Sequence, residues 1–226
     1  MLPLALRTRS CWLALYITAF LPLGGCDGGQ DVPSATIQDE PATTPDPANE
    51  SSASEIEAPS TDALAIDTTR STFGFVGSKP TGSQSGSFAT WTGTVELGAS
   101  IEQTEVVIEI QMESVRTESD RLTSHLQSDD FFDTARFPTA RFESTGFAPA
   151  AAGDEPATHR VSGRLTLRGQ TQLITFPVRV ELSDTEFRAR AEFSIDRQRW
   201  GIRYPGRADD LIYDDVVIRF DVRAPR

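Results

Sequence analysis

Beyond residue 26 the chain has no cysteine; its two thiols are Cys11 and Cys26. That absence excludes thiolate catalysis, cysteine-ligated zinc and iron–sulfur clusters from the rest of the protein. It also excludes a disulfide, so any domain there must be held by core packing. Histidine is nearly absent too. His125 and His159 are far apart and have no ligand-spaced partner. Residues 27–69 hold ten Asp or Glu and no Lys or Arg. The longest apolar stretch, Leu13 to Leu23, is broken by Thr18 and Pro22. It falls short of the ~20 residues that a spanning helix needs.

Three regions differ in charge. Residues 1–26 carry Arg7 and Arg9 and no acid, and residues 70–226 carry 19 basic and 23 acidic residues. With the ten acids of the middle region these account for the net charge of −12. The acidity therefore belongs mainly to one segment, and no basic footprint for nucleic acid is present. The last region, 157 residues, suits one domain with a sizeable core.

The start reads as an export signal: Arg7 and Arg9, a short apolar run, then Leu23-Gly24-Gly25-Cys26. That ending resembles a bacterial lipobox. Residues 1–25 are then the signal peptide, and Cys26 accepts diacylglycerol as a membrane anchor. The expected location is the cell envelope, facing the periplasm or the exterior. Residues 26–69 follow as a linker with five prolines, ten acids and no aromatic residue. Such a segment buries too little apolar surface to offset its ordering entropy, so disorder is expected. As a random chain it would span roughly 35 Å. The domain is expected over residues 70–226.

There the hydrophobic period is two. Val106, Ile108, Ile110 and Met112 form one row; Val161, Gly163, Leu165 and Leu167 another. Ile174 to Leu182, Phe187 to Ile195 and Val216 to Val222 continue the pattern in steps of two. Each run reads as a half-buried strand. Weaker signals cover 71–77, 87–97 and 139–147. About eight antiparallel strands are expected, with short turns such as Arg168-Gly169-Gln170. One helix is expected over about 118–133, with Ser119 as its N-cap. The class is all-β, a closed or nearly closed barrel with one short helical insertion and a dry, apolar interior.

Chemical motifs are weak. Gly82-Ser83-Gln84-Ser85-Gly86 has Gln84 where a nucleophile elbow needs serine, and it reads as a hairpin loop. Asp209-Asp210 and Asp214-Asp215 lack an EF-hand pattern and read as a solvated loop. His125 falls in the helical stretch, where packing or capping is the plainer role. Phe73, Phe75, Phe142, Phe176 and Phe193 either line a ligand channel or fill a core, and alternation does not separate the two. Phe131, Phe132 and Trp200 either gate a barrel mouth or cap its end. Arg197, Arg199 and Arg203 either meet an anionic head group or form a solvated face, the second being the plainer reading.

An ordered set of segments resembles the YceI-like, or polyisoprenoid-binding, family. It comprises Phe73-Gly74-Phe75-Val76-Gly77, Gly86-Ser87-Phe88 through Trp91-Thr92-Gly93, and Asp120-Arg121-Leu122 with His125-Leu126. Ser128 to Asp133, Phe137 to Phe142, Gly163-Arg164-Leu165-Thr166-Leu167-Arg168-Gly169, Asp196-Arg197 and Trp200-Gly201-Ile202 complete it. The resemblance spans about residues 70–224. It implies a lipocalin-like barrel whose channel holds an isoprenoid quinone or polyprenyl lipid. It also implies frequent dimers, no cofactor and no catalytic group. On that basis the ligand-contacting set is Phe73, Phe75, Phe88, Trp91, Ile108, Ile110, Phe132, Phe142, Leu165, Phe176, Val178, Phe193 and Trp200. Related sequences often carry a histidine where this chain has Gln84, so the resemblance assigns no polar head-group contact at that rim. The expected function is membrane-anchored carriage, storage or protection of such a lipid. The competing readings are an interaction module whose core is filled by its own side chains, and an enzyme of isoprenoid-lipid metabolism.

Overall fold

The computed structural model describes residues 32–38 and 63–226. The expected signal peptide, Cys26 and residues 39–62 of the expected linker lie outside the described residues. Fourteen strands and one helix follow in chain order among the described residues. They begin with β1 (Thr36–Gln38), β2 (Ala63–Ala65), β3 (Thr72–Lys79), β4 (Gly82–Phe88), β5 (Trp91–Glu96), β6 (Glu105–Gln111) and β7 (Val115–Thr117). Helix α1 (Asp120–Gln127) comes next, then β8 (Thr139–Pro149), β9 (His159–Leu167), β10 (Gln170–Leu182) and β11 (Glu186–Asp196). The series ends with β12 (Gly206–Arg207), β13 (Asp210–Leu211) and β14 (Asp215–Pro225).

Twelve strands join one antiparallel sheet, in the order β2-β5-β6-β8-β9-β10-β11-β14-β3-β4-β7 with β1 added against β10. This exceeds the eight expected. The surplus strands are mostly pieces of two or three residues, too short to show a period. The sheet curls on itself. Ile66 N–H donates to Gly93 of β5, and Asp67 N–H donates to Arg223 of β14, so one short segment joins the sheet's first strands to its middle. A bulge between Ser144 and Gly146 in β8 adds to the bend.

The alternation of the sequence becomes an alternation of burial. Ile108, Ile110, Val161, Ile174, Phe176, Val178, Phe187, Phe193 and Val222 all point inward and are at most 7 % exposed. Leu182 departs from its row: it stands at the turn end of the β10–β11 hairpin, 48 % exposed. The β9–β10 turn has φ of 50° at Arg168 and 70° at Gly169. Positive φ at both positions gives the twist that a two-residue hairpin needs. Outside, the sheet carries ladders of ion pairs, such as Arg188 with Asp221, Arg219 with Glu192, and Arg141 with Glu143.

Three expectations are corrected. Gly82–Gly86 is strand, not hairpin loop: its backbone pairs with β3, and the turn is Pro80-Thr81. Glycine and serine there hid a ladder that needs no side chains. The helix stops at Gln127 rather than near 133, because the extended Ser128 takes over its end and donates its Oγ to the His125 carbonyl at 2.7 Å. The segment expected to be wholly disordered supplies β1 and β2, and it buries Ile66 to 7 % exposure. Few apolar residues suffice for this, because each short strand satisfies its backbone on a strand already in place.

Candidate functional site: an apolar cavity under an aromatic cap

Inside the curled sheet lies a cavity of about 190 Å³. Its lining side chains are apolar apart from Gly77, Arg141 and Arg197. A single water needs only about 10–15 Å³ of such space, so the interior is not filled by its own side chains. A dry apolar hole forfeits contacts on its walls, which a hydrocarbon guest would restore.

Rings dominate the middle of the cavity. Phe176 and Phe193 stack with centroids 3.9 Å apart and planes 8° apart. Phe73 and Phe220 stack at 6.1 Å. Phe142 tilts against Phe176 at 5.8 Å. Two glycines make room. A Cβ on Gly163 would fall 2.4 Å from the Phe142 ring, and one on Gly86 would fall 2.2 Å from the Phe75 ring. The far end is closed by Phe147, Phe187 and Val222, each at most 8 % exposed.

The other end is covered by α1, the segment after it and the loop after β11. Leu126, Phe131, Phe132, Ile202 and Ile212 meet the cavity from this side. Ser119 caps α1 by accepting from Leu122 N–H at 3.4 Å. Leu122 and Leu126 share the helix face that packs inward. His125 stands edge-on to Phe131 at 5.0 Å and to Tyr204 at 4.8 Å, and its Nε2 lies 3.0 Å from Asp130 Oδ2. It is a packing and hydrogen-bonding residue of the cap, as the sequence suggested. His159 is remote from it and contacts Thr158 Oγ1 at 2.9 Å through Nδ1.

Two arginines hold this cap. Arg168 donates from its β-turn to the Gly201 carbonyl at 2.9 Å and to the Asp129 carbonyl at 2.7 Å. Arg197, 5 % exposed, donates to the carbonyls of Ile202, Ile212 and Tyr213 and to Asp214 Oδ1. Its donors serve the loop, so neither alternative weighed for Arg197, head-group contact or solvated face, describes it. Asp210 accepts from Lys79 and Thr81, and those bonds hold its carboxyl below the ordinary aspartate range.

Most of the expected ligand set meets here. Phe73, Phe75, Phe88, Ile108, Ile110, Phe132, Phe142, Leu165, Phe176, Val178 and Phe193 all line the cavity. Trp91 and Trp200 do not. Trp91 is buried in the wall against Phe73, with rings 6.2 Å apart. Trp200 is fully buried and donates its indole N–H to the Leu165 carbonyl at 3.0 Å, anchoring the loop instead. Sequence reasoning left Phe187 and Phe220 out of the set although both stand in its inward rows. The tie made by Arg168 and the place of Tyr204 in the cap had no signal at all. Among the described residues no group of His, Cys, Asp or Glu is placed to hold a metal, and no helix is long and apolar enough to cross a membrane.

Comparison with known proteins agrees with this architecture. The profile of the YceI-like domain matches residues 64–224. A UPF0312 protein of Pseudomonas fluorescens is 29 % identical over 138 residues, covering 58 % of this chain and 70 % of its own length. A UPF0312 protein of Pseudomonas savastanoi is 30 % identical over the same shares. Among solved structures, Burkholderia cenocepacia BcnA is similar with a TM-score of 0.61 at 23 % identity, covering 70 % of this chain and 99 % of BcnA. A polyisoprenoid binding domain from Saccharophagus degradans, implicated in plant cell wall breakdown, gives 0.57 at 21 % identity, covering 73 % of this chain and 98 % of that domain.

Proposed function

Since this chain belongs to the YceI-like domain family, we propose that it is a lipid-binding protein without enzymatic activity, holding one isoprenoid chain, of the quinone or polyprenyl class, in the cavity. The observation that carries this reading is the cavity itself: open space of about 190 Å³ walled by rings and branched aliphatics. Burial of a hydrocarbon gains ~0.8 kcal/mol per CH₂, so each five-carbon unit contributes on the order of 3–4 kcal/mol. Affinity of that kind needs no polar contact and no catalytic group. The similarity to a polyisoprenoid binding domain supports the ligand class.

Three tasks fit such a cavity: transport, storage or protection of the lipid. Anchoring through Cys26 belongs to the same proposal, because it would keep the domain beside the membrane that supplies the ligand. A Cys26→Ser chain is expected to leave the membrane fraction. The ligand is tested directly by organic extraction of protein purified from its native host, with mass spectrometry of the extract. One isoprenoid lipid near stoichiometry is the expected result. Protein that is empty, and that takes up neither a quinone nor a polyprenol in titration, would count decisively against it. The self-filled interaction module is disfavoured by the same open volume.

A further inference from the structure

Strands β10 and β11 form a hairpin that forks. They pair from Leu182↔Phe187 to Arg179↔Arg190 and then part. Beyond the fork β10 stays paired to β9, and β11 stays paired to β14. The gap between them is filled by residues 33–38. On one side Thr36–Gln38 runs antiparallel to Leu173–Thr175 of β10. On the other, Ala35 N–H donates to the Ser194 carbonyl at 2.8 Å, and Ser194 N–H donates to the Pro33 carbonyl at 3.0 Å. Ser34 and Ser194 also meet, Oγ to Oγ, at 2.9 Å. Ala35 and Ile37 turn inward and are partly buried against the core.

The inner side of the gap belongs to the cavity wall. Ile174, Phe176, Phe193 and Ile195 flank it, and all four line the cavity. The stacked Phe176–Phe193 pair spans the fork from within. Two layers therefore separate the cavity from the outside here: one ring pair and one short strand. Between β9 and β10, and between β11 and β14, the wall is an unbroken ladder.

We propose that residues 33–38 are a displaceable wall strand over a side entrance, and that the apolar ligand passes between β10 and β11 when this strand lifts. The inference rests on the reading of the cavity as a lipid site. The alternative route, under the aromatic cap, is held more firmly. Arg168 and Arg197 tie the cap with six donated hydrogen bonds, and Trp200 adds a seventh. The strand has a three-residue ladder, two backbone bonds to Ser194 and two modest apolar side chains. Its flanks carry Asp27 and Asp31 before it, and Asp39, Glu40 and Pro41 after it. Local opening follows the weakest cooperative unit, and few buried contacts mark that unit.

The test is a lock. In the full chain with Cys11→Ser and Cys26→Ser, Ser34→Cys and Ser194→Cys are introduced together, using the close approach of their Oγ atoms. The probe is N-phenyl-1-naphthylamine, an uncharged apolar fluorophore, displaced by excess farnesol in stopped flow. Oxidation, verified by mass, is expected to slow release at least about tenfold, and reductant is expected to restore it. A second variant, Ala35→Pro, removes the donor to Ser194 and is expected to speed release several-fold at unchanged far-UV circular dichroism. Release that is indifferent to both changes would overturn the side entrance while leaving the lipid site intact. A parent chain that takes up no probe overturns the lipid reading, and the entrance with it.

Discussion

Gly163 shows how much of the site is set by what a residue leaves out. It stands in an inward row between Val161 and Leu165, and the Phe142 ring occupies the space its side chain would take. A Cβ there would also come within 2.6 Å of the Glu143 carbonyl, which backbone pairing holds in place. Gly163→Val is therefore expected to destabilise by about 1–3 kcal/mol, the usual cost of overpacking, measured by urea unfolding. Ala189→Leu asks the opposite question. Ala189 is 6 % exposed and lines open space, so three added carbons are expected to be tolerated, while uptake of an apolar fluorophore falls steeply. A loss of 2 kcal/mol or more, on the order of overpacking a full core, would mean that the space is not available. The inward rows were legible from alternation alone; that most of their rings face a cavity rested on the family resemblance. The two tryptophans were not. Nothing in a sequence distinguishes an aromatic that walls a hole from one that is walled in, since that depends on neighbours from distant strands.

At the scale of elements, the long strands were plain and the short ones invisible. β9, β10, β11 and β14 are each nine residues or longer and repeat their apolar residues in steps of two. A period cannot be read from the two residues of β12 or the three of β1. Even so, Ser34-Ala35-Thr36-Ile37-Gln38 alternates polar and apolar, a faint signal masked by the acidic, proline-rich composition around it. The turn at Arg168-Gly169 was legible as a turn, whereas the reach of Arg168 to two loops of the cap was not. That reach can be isolated, because Arg168 sits at φ 50°, a conformation glycine adopts without cost. Arg168→Gly therefore keeps the turn and removes only the side chain. Hydrogen exchange is expected to quicken at residues 129–134 and 200–204, with a global loss of about 1–2 kcal/mol for two donated bonds. Unchanged protection in both segments would show that the cap is held by its apolar packing alone.

For the whole molecule, charge sets the response to acid. The described domain carries many of its surface ions in pairs, and the carboxyl shifts all run downward. Hydrogen bonds from Arg188 lower Asp221, those from Arg160 lower Asp154, and those from Arg179 lower Glu181. A carboxyl with a lowered pKa in the folded state stabilises above its unfolded value and loses that contribution as pH falls through the folded one. The unfolded values lie near 4, so stability is expected to hold level from pH 8 to about 5 and to decline below about 4. A second force acts in the same window. Residues 70–226 hold 23 acids against 19 basic residues, and both histidines of the chain. As its acids are neutralised, this near-balanced region moves toward the charge of its 19 basic residues and repels itself. Surface pairs are worth little singly, so the repulsion is expected to be the larger part. Salt separates the two. Added chloride screens repulsion across the surface and is expected to recover much of the urea midpoint at pH 3, while leaving the midpoint at pH 7 nearly unchanged. A midpoint at pH 3 that ignores salt would assign the acid response to the close pairs instead.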